Sequence, residues 1–469
     1  MNKLSLPLLM VIAFAALLWL PNLFTKGMFL DGVYNALFGL NLANGIGSFW
    51  APQTADYAQP NYWDNPQLSS YFLSLYYKAL GNSYWVEKLY SLSTAIIQLL
   101  LIASAWKIFF ANNTEVKKYN WLPCLLFMVI PLTSWGYSSN VMENTMSIFT
   151  TGSVIASFLF LRTGKNLALY ATIGGALIFL AMLTKGPVAL FPLAVPFFFV
   201  WIEKDLKWQK AITYMALQFA VLAAIFAMVF SFDAPKHFLQ QYLDVQLLRT
   251  LKHEFDTSAP PYTIFVHMAV ALSPLLGLSL LAAFIKSEAA PRKQLLQTAL
   301  VFIIIGLSAS APIALSAKQN KHYLIPSLPM FAVGFSCIIL PLILWIERKL
   351  TGAKFLLPAQ SLCLVIITGC VGLSIYNCGT YSRDEKLLRD LEAIAPLTKG
   401  EMIIPANRNL YSDWALRANL YRHYGKKIAM PGEVPPTGYY LTGSARDEML
   451  ATDTQIYRGN KYTLYTTGR

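Results

Sequence analysis

Long apolar segments separated by short polar connectors occupy most of the chain. A helix needs roughly 20 apolar residues to cross the hydrocarbon core of a bilayer, and this sequence contains about eleven runs of suitable length and composition. They cover residues 4–24, 88–110, 120–137, 142–161, 167–183, 186–202, 211–232, 262–285, 297–316, 322–346 and 355–377. The pattern therefore predicts an all-α polytopic membrane protein with about eleven transmembrane helices.

A polar tail follows the last apolar segment. Residues 378–469 alternate helical stretches with short strand-like stretches such as EMIIP and GYYLTG. This alternation predicts a small extracytoplasmic α/β domain behind a transmembrane module of residues 1–377. The sizeable outside loops of that module are expected at 25–87 and 233–261.

Composition and charge agree with this prediction. Of the 469 residues, 56% are hydrophobic and 13% are charged, which excludes an ordinary soluble domain. A net charge of +13 would suggest nucleic acid if it formed one soluble patch, but the basic residues lie in connectors between spans. With the N-terminus inside they follow the positive-inside rule, so we expect membrane lipid and no nucleic acid as a partner. The first span lacks a small-residue cleavage site and is expected to be an anchor.

Two predicted helices in the first outside loop each begin beside a carboxylate. DGVYNALFGLNLANG predicts a helix with Asp31 at its N-cap and Gly45 at C′. WDNPQLSSYFLSLYYKALG predicts a second helix, with Asp64 shortly before Pro66 at the first helical position and Gly81 at the end. Each carboxylate can act as a general base for an acceptor hydroxyl or can serve only the local helix or turn, and both interpretations stay open.

Several cations lie on the predicted outer side, where the positive-inside rule disfavours them. Lys185 follows the fifth span in LTKGP, Lys318 and Lys321 follow the ninth span in SAKQNKHYLIPSLP, and Arg249 lies in the loop 233–261. Such cations can hold an anionic headgroup through charge-assisted hydrogen bonds, and the arginine fork suits a phosphate. The alternatives are snorkelling to the interface and ordinary solvation.

Other polar residues give weaker signals. His253, Glu254 and Asp256 occur on one short stretch that could bind a divalent cation, so a metal ion is left open. Glu143 begins the fourth span from outside, and we expect it only to cap or solvate that helix end. The five cysteines show no metal-like spacing.

In its order of motifs the chain resembles the GT-C class of glycosyltransferases. The motifs are an aspartate after the first span, NYWDNPQLSSYFLSLYYKALG, LTKGP, an arginine-bearing loop and KQNKHYLIPSLP, within residues 1–350. The resemblance is strongest to the bacterial branch of lipid A aminoarabinose transferases and protein mannosyltransferase relatives. It implies an integral-membrane enzyme that moves a sugar from polyprenyl phosphate to a glycan, lipid or protein acceptor. The expected location is the bacterial inner membrane, with the active site facing the periplasm or cell exterior.

The resemblance also implies roles for single residues. Asp31 matches the family's catalytic base, Lys185 and Arg249 match cations that hold the carrier phosphate, and Tyr323 matches the tyrosine of a Tyr-x-x-Pro element, here YLIP. By their charge, Lys318 or Lys321 could join the cations at that phosphate.

Two departures from the family pattern concern the carboxylates. Gly32 replaces the family's glutamate after Asp31, so Asp64 is the candidate for a second catalytic carboxylate. The Glu-Lys-Pro of the aminoarabinose transferases is Asp-Asn-Pro at residues 64–66, and the missing lysine argues against a lipid A phosphate as acceptor.

Transfer of a single sugar by one displacement at the anomeric carbon would invert the configuration of that carbon. Two other functions compete with this one. A transporter or flippase would carry ionisable residues and broken helices near the bilayer midplane, whereas here the unusual charges lie at one rim. A glycan ligase or polymerase would instead use a carrier pyrophosphate.

Overall fold

The structure is a computed structural model of the whole chain. It describes residues 5–55, 61–203, 207–249, 259–285, 292–349, 353–398, 403–430, 438–443 and 454–466. The predicted cation ligands His253, Glu254 and Asp256 lie outside the described residues.

Helices make up most of the described chain. In order they are α1 Leu6–Trp19, α2 Leu30–Ala43, α3 Leu68–Leu80, α4 Val86–Phe109, α5 Thr114–Lys117, α6 Leu122–Val129, α7 Pro131–Ser138, α8 Met142–Thr163, α9 Leu167–Lys185, α10 Val195–Ile202, α11 Trp208–Phe230, α12 Asp233–Tyr242, α13 Thr263–Ala283, α14 Arg292–Ser310, α15 Leu328–Lys349, α16 Ala353–Tyr376, α17 Glu385–Leu397, α18 Arg408–Tyr411 and α19 Trp414–Tyr424. Short 3₁₀ segments cover Pro187–Ala194, Ala311–Leu315 and Lys321–Ser327, and a π-helical segment covers Leu243–Leu248. Within the described residues the tail also contains five strands: β1 Ile403–Pro405, β2 Lys427–Ala429, β3 Tyr439–Gly443, β4 Thr454–Arg458 and β5 Tyr462–Thr466.

The chain is a multi-pass membrane protein, as its apolar pattern predicts. Within the described residues, 8 helices are long and apolar enough to cross a bilayer. The apolar helices Leu6–Asn22 and Pro187–Ile202 are shorter. The predicted span at 120–137 consists of α6 and α7, separated at Ile130, which has extended backbone because Pro131 follows it. The predicted all-α polytopic fold is confirmed, and three of the predicted spans are short or broken helices.

The chain divides into two compact units. The first comprises Met1–Leu23, Asp64–Pro66 and Ser91–Tyr376, and the second comprises Phe24–Trp63, Gln67–Tyr90 and Asn377–Arg469. The boundary at residue 377 between a transmembrane module and a separate tail domain stays a prediction.

Neutral polar side chains join helices inside the first unit. The Gln98 amide of α4 donates to the Thr151 hydroxyl of α8 at 3.0 Å, and the Gln218 amide of α11 donates to the Ser153 hydroxyl of α8 at 3.1 Å. All four residues are buried. Such bonds stabilise helix association in an apolar environment, where water cannot take either partner's place.

The tail of the second unit contains the predicted small α/β element. β1 pairs in parallel with β2, and a three-stranded antiparallel sheet has the order β3-β5-β4. Apolar side chains of α17, α19 and the strands form one buried cluster, which includes Leu391, Leu420, Ile428 and Leu464. The amphipathic face of α17 is therefore covered by the strands and α19.

The two helix starts of the first loop differ from their predictions. α2 begins at Leu30 with Phe29 as N-cap, so Asp31 lies in the first turn and is not the cap. A carboxylate at that position still interacts favourably with the positive end of the helix dipole. α3 begins at Leu68, two residues after Pro66, so the prediction for this proline is also wrong.

The ends of these two helices agree with their predictions. Gly45 follows the C-cap Asn44 with φ of +72°, and Gly81 ends α3 with φ of +80°. Both glycines adopt a backbone conformation that other residues rarely take.

A buried ion pair connects the first loop to the tail within the second unit. The Arg422 guanidinium of α19 lies 2.9 Å from a Glu87 carboxylate oxygen, and the side chains are only 2% and 0% exposed. The same oxygen accepts a 2.8 Å hydrogen bond from the Tyr77 hydroxyl. Removal of either charge would leave the other buried and uncompensated, which is strongly destabilising.

A second buried carboxylate fixes the turn between β4 and β5. Asp390 of α17 is fully buried and accepts hydrogen bonds from the backbone N–H groups of Asn460, Lys461 and Tyr462 at 2.9, 2.6 and 3.1 Å. It also accepts the Tyr457 hydroxyl at 3.1 Å. The Asn460 side-chain amide also donates to it at 3.4 Å, so one side chain satisfies five donors.

We predict that Asp390→Ala destabilises the second unit by at least about 2 kcal/mol, because several buried N–H groups lose their acceptor together. Thermal unfolding and limited proteolysis of the purified protein in detergent measure the effect. Glu385→Ala is the matched control, because Glu385 pairs with Arg389 on the exposed side of the same helix. Equal stability of the two variants would contradict this role of Asp390.

Candidate active site

The helix break after the fifth long apolar stretch determines the position of Lys185. α9 ends at Lys185, and Gly186 follows with φ of +89° before the 3₁₀ segment Pro187–Ala194 begins. The sequence Gly-Pro produces this break, since glycine permits the left-handed backbone and proline cannot continue the hydrogen-bond ladder of α9. The Lys185 side chain is only 11% exposed.

A buried carboxylate faces this lysine. A Glu143 carboxylate oxygen lies 3.2 Å from the Lys185 ammonium nitrogen, and the Glu143 side chain is 1% exposed. Glu143 lies in the first turn of α8, where Val141 is the N-cap. The expectation that Glu143 only caps or solvates the helix end is therefore wrong, because α9 covers it and supplies its counter-charge.

The segment Lys321–Ser327 adds two rings to the same place. The buried His322 Nε2 lies 3.8 Å from the same Glu143 oxygen, and the Tyr323 ring centre lies 5.6 Å from the Lys185 nitrogen. We call Glu143, Lys185, His322 and Tyr323 the lysine cluster. It combines one carboxylate, one ammonium and two rings that can donate hydrogen bonds.

Tyr242, at the end of α12, borders the lysine cluster. The pKa of the Tyr242 phenol is raised to about 12, mainly by burial; the Lys185 ammonium reduces this rise and Tyr323 adds to it. A Cβ at Gly186 would lie 2.0 Å from the Tyr242 hydroxyl oxygen. The glycine that breaks α9 thus also gives room for this tyrosine.

A second group of predicted site residues forms around Asp64. Burial raises the pKa of the Asp64 carboxyl, and the positive charges of Lys318 and Arg249 lower it in part. Lys318 is half-buried, and Arg249 is exposed just beyond the π-helical turn that follows α12. Along the chain, Arg249 lies shortly after Tyr242, and Lys318 lies shortly before Tyr323.

Two predicted site residues, Lys321 and Asp31, belong to neither of these two groups. Lys321 is exposed, and its nitrogen lies 4.6 Å from the ring centre of Trp135 in α7. Asp31 is half-buried in the first turn of α2, in the second compact unit. In the described part of the chain, no group of three or more His, Cys, Asp or Glu side chains is arranged to hold a metal ion.

Sequence reasoning missed Glu143 and His322 as members of the site. A signal for the glutamate was present, because α8 and α9 are consecutive spans with a short connector at residues 164–166. Two such helices run antiparallel, so the start of α8 and the end of α9 lie at the same level. A carboxylate and an ammonium at that level form a candidate pair.

Comparison of the sequence with known proteins matches no protein-family profile and no curated protein. The fold, in contrast, matches solved structures. The crystal structure of ArnT from Cupriavidus metallidurans bound to undecaprenyl phosphate matches 97% of both chains with a TM-score of 0.67 at 12% identity. This chain has the GT-C fold. The apo state of that ArnT gives a TM-score of 0.64 over the same shares of both chains.

A second GT-C structure matches over much of its length. The archaeal oligosaccharyltransferase AglB from Archaeoglobus fulgidus, in complex with an inhibitory peptide and a dolichol-phosphate, matches with a TM-score of 0.55 and 12% identity. The alignment covers 93% of this chain and 69% of AglB. At such low identity the likeness establishes the GT-C fold alone, and the reaction must be argued from the chain's own residues.

We predict that Gly186→Ala disturbs the lysine cluster, because the new methyl group meets both an unfavourable φ and the Tyr242 hydroxyl. The melting temperature of the purified protein is expected to fall by several degrees. Gly277→Ala in α13 is the control, since a Cβ there has no neighbour within 4 Å and alanine favours a helix. Two variants as stable as the wild type would contradict the close fit at Gly186.

Proposed function

We propose that this chain is a membrane glycosyltransferase that moves a sugar from a polyprenyl phosphate carrier to an acceptor on the extracytoplasmic face. The acceptor class is a glycan, a lipid or a protein. The bacterial inner membrane, with a site that faces the periplasm or cell exterior, belongs to the same proposal.

The observation that carries the proposal is the lysine cluster on a GT-C fold. The ArnT structure that matches 97% of both chains contains undecaprenyl phosphate, and the matching AglB structure contains a dolichol-phosphate. Two proteins of this fold therefore bind polyprenyl-type phosphates. A lysine at a helix break beside two tyrosines supports an anion site of the same kind in this chain.

The proposed reaction is a single displacement at the anomeric carbon. The acceptor oxygen forms the new bond while the bond from the anomeric carbon to the phosphate oxygen breaks, and the bonding pair leaves with the phosphate. Negative charge then grows on the phosphate, and nearby cations stabilise it without a proton transfer. We assign Lys185 and Tyr323 to this phosphate, with Arg249, Lys318 and Lys321 as further cations on adjoining segments.

The acceptor must lose a proton during this displacement. We assign that role to Asp31, a half-buried carboxylate at a helix start, by its match to the base of the GT-C family. Asp64 is the second catalytic carboxylate in this proposal. Burial raises the pKa of its carboxyl, and the fields of Lys318 and Arg249 offset part of that rise.

The competing transporter function has weaker support. Among the described residues, the ionisable side chains of the eight long apolar helices lie close to helix ends and not at their middles. The buried polar groups deeper in the spans include Gln98, Thr151, Ser153 and Gln218, which bond to one another between helices. Such pairs stabilise helix packing and do not form an ion pathway. A glycan ligase that uses a carrier pyrophosphate stays an alternative within glycan chemistry.

The first experiment tests the donor directly. Purified protein in detergent receives a radiolabelled polyprenyl phosphate hexose, and chromatography follows the release of free polyprenyl phosphate. We predict that Lys185→Met raises KM for the donor at least about tenfold, because a charge-assisted contact to the phosphate is lost.

Lys236→Met is the matched control, because Lys236 is an exposed lysine of α12. Its kinetic constants are expected to stay near those of the wild type. If Lys185→Met matched it, the assignment of the phosphate to Lys185 would be wrong.

We predict that Asp31→Asn lowers kcat by about 10²-fold or more with little change in donor KM, because the acceptor loses its base while the phosphate contacts remain. Asp233→Asn is the control, since Asp233 is an exposed aspartate in the first turn of α12. A folded Asp31→Asn protein that transfers sugar at the normal rate would exclude Asp31 as the base.

A further inference from the structure

The carboxylate of Glu143 occupies an unusual environment. Both of its oxygens are buried, and neither accepts a hydrogen bond from another described residue. The groups that face it are the Lys185 ammonium at 3.2 Å and the His322 ring nitrogen at 3.8 Å. A carboxylate in such a place depends on its counter-charge, because burial without one is very costly.

Lys185 depends on the glutamate in return. A lysine side chain has a flexible four-carbon stem and tends to extend its ammonium into water at a membrane interface. Here the side chain is only 11% exposed, so the ammonium is turned inward toward α8. The charge of Glu143 is the attraction that offsets its desolvation.

The ammonium can serve a second anion without leaving the first. It has three donor hydrogens, so its pair with one Glu143 oxygen does not use its whole hydrogen-bonding capacity. Tyr323 lies beside it with its ring centre 5.6 Å from the nitrogen. A phosphate oxygen can therefore contact the ammonium while the carboxylate still fixes its position.

We propose that Glu143 is a positioning residue that holds the Lys185 ammonium where the carrier phosphate binds, with His322 near the same carboxylate oxygen. This inference rests on the proposed function and extends it to a residue that acts through Lys185. Glu143 itself need not touch the donor. Its effect on the phosphate is transmitted by the geometry and charge of one lysine.

The experiment measures binding of undecaprenyl phosphate to the purified full-length protein in detergent. Glu143→Gln keeps the size of the side chain and removes its charge, so we expect binding at least about tenfold weaker than in the wild type. Glu143→Asp is expected to restore part of the affinity, which a purely packing role would not do. In turnover assays with saturating acceptor, the change is expected mainly in KM for the donor and less in kcat.

Glu347→Gln is the matched control. Glu347 is a carboxylate of α15 in the same unit and accepts a 2.6 Å hydrogen bond from the Tyr119 hydroxyl. Its substitution removes one negative charge without touching the lysine cluster, so we expect unchanged affinity. Size-exclusion profiles and melting temperatures of all variants identify any that fail to fold.

A double-mutant cycle separates the inference from simple loss of charge. On a Lys185→Met background, Glu143→Gln is expected to cause no further loss of affinity, because the residue through which it acts is absent. Additive losses would overturn the positioning role. Wild-type affinity in folded Glu143→Gln, with weak binding in Lys185→Met, would overturn this inference and leave the proposed function intact. A wild-type protein that bound no polyprenyl phosphate would overturn both.

Discussion

A bilayer offers no water to buried polar groups, and most features of the first unit follow from this constraint. Helices satisfy their own backbone groups, so the long apolar stretches fold as helices regardless of their side-chain details. Ionisable side chains lie near helix ends, where an interface or a partner is within reach. Glu143 and Lys185 show how strict the constraint is, since the buried carboxylate and the largely covered ammonium lie at the ends of spans and face each other.

The same constraint makes a helix break a natural place for a polar site. Where α9 stops at Gly186, backbone groups lose their regular partners, and the following 3₁₀ segment changes the direction of the chain. Three further segments contribute side chains there: the start of α8, the end of α12 and the 3₁₀ segment Lys321–Ser327. Irregular backbone at membrane depth is tolerated where protein or a cavity surrounds it. The lysine cluster is such a place.

The sequence alone is sufficient for the fold class, and it singles out Lys185 and Tyr323, which the structure brings together. Apolar run length predicts the spans because crossing a bilayer demands it, and the described structure contains long apolar helices in most of those places. The exact first residue of a helix is harder to predict from sequence. Asp31 looked like a cap, but Phe29 takes that position, because the aspartate already has helical backbone. Boundaries of this kind depend on local dihedrals that residue preferences only bias.

Which side chains face each other across two helices is harder to predict from sequence than where the helices are. A span that is apolar all round carries little periodic signal for its rotation about its own axis. The sequence marks Lys185 as unusual because it departs from the positive-inside pattern, whereas it gives Glu143 no signal beyond a charge at a helix end. Only the packing of α8 against α9 shows that the two face each other, and only the fold brings His322 to the same carboxylate from a segment far along the chain.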